Sequence, residues 1–192
     1  MKFLEDKILS DGKVYPGNIL KVDSFLNHQI DVGILAAIGE AFYEQYKNRN
    51  ITKILTIEAS GIAIACAVAN HFEVPVVFAK KSKSLNLGDD VYVSRVSSYT
   101  YGKEYDATVA RDYLSSDDHV LIVDDFIAIG NAMKGLIEIC DQAGAKVEGI
   151  GICIEKGFQN GGDDLRQMGY DVTSLAIIDE MDNGRIVFRN QE

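Results

Sequence analysis

Two adjacent carboxylates, Asp124 and Asp125, follow an apolar run at residues 120–123 and precede the small-residue turn Ala128, Ile129, Gly130, Asn131 and Ala132. A helical pattern through Met133, Leu136, Ile137 and Cys140 comes next. A buried strand that ends in a tight turn beneath a helix N-terminus gathers backbone N–H groups and the positive end of a helix dipole, so it binds anions. The neighbouring acids would repel a bare phosphate. They fit a ligand that carries hydroxyls or Mg²⁺ beside its phosphate, and a sugar phosphate meets that description.

The elements that must hold these groups are legible as an alternation. Residues 53–57, 75–79, 120–123, 147–154 and 172–178 read as strands; 62–71, 130–143 and 163–168 read as helices between them. Upstream, 33–46 carries Ile34, Leu35, Ile38, Phe42, Tyr43 and Tyr46 at helical spacing. Alternating strands and helices predict an α/β fold with a mostly parallel, twisted sheet and helices on both faces. Ligands of such sheets bind beyond the strand C-termini. Glu58, Lys80, Asp124 and Glu155 all fall at predicted strand ends, which points to one shared site. Residues 1–31, 80–111 and a short strand at 185–188 stand outside the alternation. The segment 80–111 contains the stretch 86–90, the alternation at 91–96 and the stretch 99–103, and reads as a hairpin excursion over the site.

Composition narrows the function. The chain has 192 residues, enough for one domain, and 47% are hydrophobic. Its 29 acids outnumber 19 bases, a formal charge of -10 that argues against nucleic acid as a partner. An anionic ligand must then be attracted locally, and the run 79–83, with Lys80, Lys81 and Lys83, is the candidate for that focusing. Cys66, Cys140 and Cys153 sit in apolar segments and read as core filler in a reducing compartment. The first residues are amphipathic and charged rather than secretory, and no apolar run approaches the ~20 residues of a membrane span, so a cytoplasmic location without membrane partners is expected. Neither nucleotide-binding glycine motif is present, and the three histidines are scattered.

The stretch VLIVDDFIAIGNA resembles the 5-phosphoribosyl-1-pyrophosphate (PRPP) motif of the type I phosphoribosyltransferases. LKVDSFLNHQID from Leu20, EASGIA from Glu58 and IEKGF from Ile154 make the chain most similar to the xanthine-using members of the bacterial salvage type. The resemblance covers nearly the whole chain. It implies transfer of a phosphoribosyl group to xanthine, with xanthosine monophosphate (XMP) and pyrophosphate as products. It also implies a single domain with a hood at 1–31 and about 180–192, a lid at 80–111, Mg²⁺ held mainly through PRPP, and a homodimer. Related readings are a family member for hypoxanthine/guanine or adenine, and a non-catalytic PRPP-sensing purine-regulator domain. The regulator would need a DNA-binding module, for which the stretch before Leu20 leaves no room.

Residue by residue, the resemblance assigns the 5′-phosphate to Ala128, Ile129, Gly130, Asn131 and Ala132, and the ribose hydroxyls to Asp124 and Asp125 as the catalytic pair. Many members have threonine where this chain has Ile129 and Ala132, which leaves Asn131 as the amide donor of the loop. Pyrophosphate is assigned to Glu58, Ala59, Ser60 and Gly61, where a strained peptide is implied, with Lys80 and Lys81. On the residues alone, a simple helix N-cap at Ser60 is the lesser alternative. The base is assigned to Leu20, Asn27, Phe126 and Lys156: the Lys156 ammonium would favour the readily ionised xanthine, and Phe126 would stack on the purine.

Overall fold

A computed structural model describes residues 1–81, 90–97, 104–182 and 184–191. Lys83 of the basic run, and the stretches 86–89 and 99–103, lie outside the described residues. The chain begins with α1 (Lys2–Asp11), the short pair β1 (Lys13–Tyr15) and β2 (Ile19–Lys21), and a π-helical turn at Asp23–Asn27. There follow α2 (Val32–Tyr46), β3 (Lys53–Ile57), α3 (Gly61–Phe72), β4 (Val76–Ala79), β5 (Val91–Ser97) and β6 (Glu104–Ala110). The rest is β7 (His119–Ile127), α4 (Asn131–Ala143), β8 (Lys146–Lys156), α5 (Gly161–Gln167), β9 (Val172–Asp182) and β10 (Arg185–Phe188).

Six strands form one sheet in the order β10-β9-β8-β7-β3-β4, parallel except for β10, which turns back antiparallel on β9. The strand period of two divides the apolar run of β7 between two cores. Leu121 and Val123 pack with α1, α2, α3 and the turn carrying Phe25 and Leu26. Val120 and Ile122 pack with α4, Leu165 of α5 and the β5–β6 hairpin. Helices therefore cover both faces. Asp31 caps α2 by accepting from the amides of Gly33 and Ile34 at 3.0 and 3.2 Å. Gly149 and Gly151 of β8 let α2 lie close, since a Cβ there would fall 2.3 Å from the Tyr46 ring and 2.8 Å from the Phe42 ring. No helix among the described residues is long and apolar enough to cross a membrane.

The structure departs from the sequence reading in three places. β7 does not stop before the acids but runs to Ile127, because β8 keeps pairing alongside it as far as Glu155. Cys66 is exposed, not core filler, because α3 is covered on one side only; Cys140 and Cys153 are buried. Glu155 ends near β8's C-terminus but is fully buried on an arginine, away from any ligand cleft.

Candidate active site

β7 continues through Asp124 and Asp125, whose carboxyls stay close enough to interact with each other. Each carboxylate accepts from the next amide: Asp125 N–H donates to Asp124 Oδ1 at 2.9 Å, and Phe126 N–H donates to Asp125 Oδ1 at 3.0 Å. Asp124 is buried beside the start of α3, where a Cβ on Gly61 would lie 2.9 Å from its Oδ1. Burial first, and then the charge of Asp125, hold its carboxyl well above the usual carboxylate range. Asp125 faces the N-terminal segment, where the exposed Asn27 donates from Nδ2 to its Oδ2 at 3.1 Å.

Past Ile127 the chain makes the turn 128–130 and enters α4. Gly130 takes φ +82°, a left-handed conformation that glycine adopts without a side-chain clash. The turn is braced from behind, since Gly161 N–H at the start of α5 donates to Ala128 O at 3.0 Å. The first-turn amides of α4 have no intrahelical acceptor and present the positive end of a 13-residue helix. Asn131 does not turn its amide toward this turn. It donates to Ser97 O of β5 at 3.0 Å, tying the hairpin to the helix start.

A cleft of about 220 Å³ opens here, lined by all five residues 128–132 together with Lys81, Tyr105 and Phe126. Lys81 is fixed at both ends. Its backbone N–H donates to Glu58 Oε1 at 2.6 Å, and its ammonium lies 5.6 Å from the Tyr105 ring centroid. Glu58 and Ala59 are joined by a cis peptide, and Ser60 makes no side-chain capping bond to α3. Across Phe126 stands Lys156, at the end of β8, with its ammonium 6.0 Å from the ring centroid and donating to Asn18 O at 3.0 Å. Burial lowers the pKa of this ammonium.

Of the predicted site residues, Asn27, Glu58, Ala59, Ser60, Gly61, Asp124, Asp125 and Lys156 do not line this cleft, nor do Lys80 and Leu20. Lys80 lines a separate cleft of about 500 Å³ at the β4 edge of the sheet, with Phe78 and Tyr113. Leu20 turns its side chain into the N-terminal core. Conversely, Tyr105 and the Asn18 carbonyl escaped the sequence reading. Tyr105 had a signal, as an aromatic in the alternation 104–110, whereas a backbone acceptor has none.

The comparisons fit this geometry. A family model described as a phosphoribosyl transferase domain matches residues 22–187. The chain belongs to the phosphoribosyltransferase family. The xanthine phosphoribosyltransferase of Bifidobacterium adolescentis is 59% identical over 99% of this chain and all of its own length. That of Ruminiclostridium cellulolyticum is 56% identical over 98% of this chain and 99% of its own. Among solved phosphoribosyltransferases, the Giardia lamblia adenine enzyme complexed with 9-deazaadenine superimposes with a TM-score of 0.77 at 26% identity, over 91% of this chain and 96% of that one. The Trypanosoma brucei adenine enzyme, complexed with AMP, pyrophosphate and ribose-5-phosphate, gives 0.76 at 21% identity over 91% and 78%, a likeness of fold.

Proposed function

We propose that this chain transfers the phosphoribosyl group of PRPP to xanthine, giving XMP and pyrophosphate. The observation that carries the proposal is the position of Phe126, which lines the cleft of the 128–132 turn and has the Lys156 ammonium 6.0 Å from its ring centroid. This arrangement offers a cation and a ring for a base at one end and helix-start amides for a phosphate at the other. The curated relatives named for xanthine, at 52–59% identity, support the choice of base.

In this reaction the bond from the anomeric carbon to the pyrophosphate oxygen breaks, its electron pair leaving with pyrophosphate. A xanthine ring nitrogen bonds to the same carbon and gives up its proton. Positive charge builds on the ribose meanwhile, as in glycoside chemistry. Residues 128–132 anchor the terminal phosphate, and Asp124 and Asp125 take the sugar hydroxyls. Lys81, pinned to Glu58, faces the leaving pyrophosphate. Lys156 takes a xanthine oxygen while Phe126 covers the purine face. Asn27 joins the hood at 1–31 to the ribose acid through Asp125, and Leu20 contributes its backbone beside the base. The hairpin within 80–111 closes the open side.

No cluster of three metal-binding side chains exists among the described residues. Mg²⁺ would be held mainly through PRPP and pyrophosphate, with few direct protein ligands. When bound, it neutralises charge on the departing pyrophosphate. We read the protein as a cytoplasmic homodimer on family grounds, a state that sedimentation tests.

The deciding experiment is a panel in which PRPP meets xanthine, hypoxanthine, guanine and adenine in turn, with nucleotide formation followed. The proposal expects the highest kcat/KM for xanthine. A higher value for any other purine would overturn the assignment of the base.

A further inference from the structure

Among the charged groups that the reaction does not use, one buried carboxylate and four half-buried partners form a connected chain around Lys156. Glu155, the residue before it, is fully buried. Both its oxygens are gripped by Arg166 of α5 at 3.0 and 2.7 Å, and Ser174 Oγ donates to Oε2. Arg166 also donates to Asp163 at 2.8 Å. Asp163 in turn accepts from Arg189 at 3.1 and 3.2 Å, and Arg189 holds Asp179 of β9 through Nε at 2.9 Å. The far end of this chain reaches the residue after Lys156. A Cβ added at Gly157 would lie 2.8 Å from Asp179 Oδ1 and 2.9 Å from an Arg189 guanidinium nitrogen. Arg189 is itself seated just past β10, its amide donating to Ile177 O at 2.8 Å.

Lys156 is thus bracketed. One neighbour is clamped through its side chain and the other is packed against the second guanidinium, whose end, with that of Asp179, would have to move to admit a methyl group. A buried carboxylate is costly unless fully paired, and a forked guanidinium supplies the paired donors that a lysine would not. Arginine-to-carboxylate bonds of this kind fix direction as well as distance. We propose that Arg189 and Arg166 are positioning residues for base recognition, which lock the two neighbours of Lys156 and so aim its ammonium across Phe126. This rests on the reading of Lys156 as the cation that meets the base.

The test compares Arg189→Met, Arg189→Lys, Gly157→Ala and Lys156→Met in the full chain, with Arg49→Met as the control. Arg49 makes an exposed ion pair with Asp171, distant in role from the site. Lys156→Met raises KM for xanthine about tenfold or more. Arg189→Met raises it about fivefold, while KM for PRPP and kcat stay within twofold, because α5 remains anchored by Arg166 and keeps its contact with Ala128. Arg189→Lys recovers part of the loss. Gly157→Ala keeps every charged partner but displaces two of them, so it raises xanthine KM by a similar few-fold factor and decides the matter if Arg189→Met does not fold.

An unchanged xanthine KM in Arg189→Met and Gly157→Ala, beside a raised one in Lys156→Met, overturns the positioning role and leaves the role of Lys156 standing. Equal rises in both KM values also overturn it, since a general loosening would do that. An unchanged xanthine KM in Lys156→Met overturns the reading beneath it.

Discussion

Gly61→Ala is the sharpest single test of how the active-site loop and the buried acid share space. A methyl group at Gly61 would fall 2.0 Å from Thr56 Oγ1 and 2.9 Å from Asp124 Oδ1, whereas ordinary contact begins at 3.4 Å. Going from 2.0 to 3.4 Å needs a retreat of about 1.4 Å; going from 2.9 to 3.4 Å needs about 0.5 Å. Thr56 is fully buried and paired to β4, so the start of α3 must give way instead. Overpacking of this kind costs about 1–3 kcal/mol, or roughly 2–12 °C in melting temperature for a chain of this size. A shift of about 0.5 Å between α3 and Asp124, the acid proposed to meet the ribose, is half the ~1 Å misplacement that costs a hundredfold, so the rate falls about tenfold, equivalent to ~1.4 kcal/mol of barrier. Pyrophosphate release at saturating PRPP and xanthine measures kcat, and thermal melting measures the stability loss. Thr56 Oγ1 has no hydrogen-bond partner among the described residues. Thr56→Ala therefore removes the worse clash at a cost of about 1 kcal/mol. In the double variant much of the stability returns, but kcat stays low because the Asp124 contact persists. A Gly61→Ala protein with unchanged melting temperature and kcat within twofold would refute the reasoning.

Further outcomes follow from the same geometry. Tyr105→Phe keeps the ring beneath the Lys81 ammonium and leaves KM for PRPP unchanged, whereas Tyr105→Leu raises it about 2- to 30-fold, the worth of a cation–π contact of about 0.5–2 kcal/mol; steady-state kinetics separates the two. Tyr46 donates its hydroxyl to Ile150 O at 3.0 Å and to Asp171 O at 3.2 Å, and burial pushes its pKa up to about 12. Tyr46→Phe should cost about 1–2 kcal/mol in denaturant unfolding and leave the kinetic constants unchanged. The Asp163 carboxyl is held below its ordinary value of 3.8, chiefly by Arg189. A lowered folded-state pKa gives stability that is complete above that ordinary value and is lost as pH falls through the folded one. Urea midpoints measured between pH 5 and 3 should therefore fall less steeply for Asp163→Asn than for the native chain.

The strands and helices that build the sheet were legible because their apolar runs end at clear breaks; β3 at 53–57 and β10 at 185–188 match the reading residue for residue. What the sequence obscured was direction. Carboxylates are rare inside strands, so Asp124 and Asp125 looked like a strand end, yet pairing with β8 carries β7 through them. Lys80 and Lys81 looked equivalent as a basic run, but successive residues face opposite ways, and only Lys81 lines the cleft of the 128–132 turn. Glu155 resembled a site acid at a strand end. Its partners Arg166 and Ser174 lie 11 and 19 positions away with no spacing that announces them. Gly61 stood in a small-residue loop suited to close ligand approach. Its Cβ space proves to be occupied by Thr56 and Asp124, a fact that only tertiary packing creates.

The burial of Asp124 also answers a difficulty posed by the net charge. A chain of formal charge -10 must receive a polyanion beside two carboxylates. Asp124 is desolvated, which favours its neutral form before ligand arrives. Asp125 accepts from the Asn27 amide. If the 128–132 turn takes the terminal phosphate as proposed, the repulsion it meets is weaker than two full charges would give, and the positive end of α4 and Lys81 attract it. On the proposed reading, ribose hydroxyls that donate to Asp124 favour its ionised form. Its negative charge then returns beside the sugar, where positive charge develops as the pyrophosphate bond breaks. The same carboxyl that would hinder binding if it were always ionised becomes stabilising only once the sugar is in place.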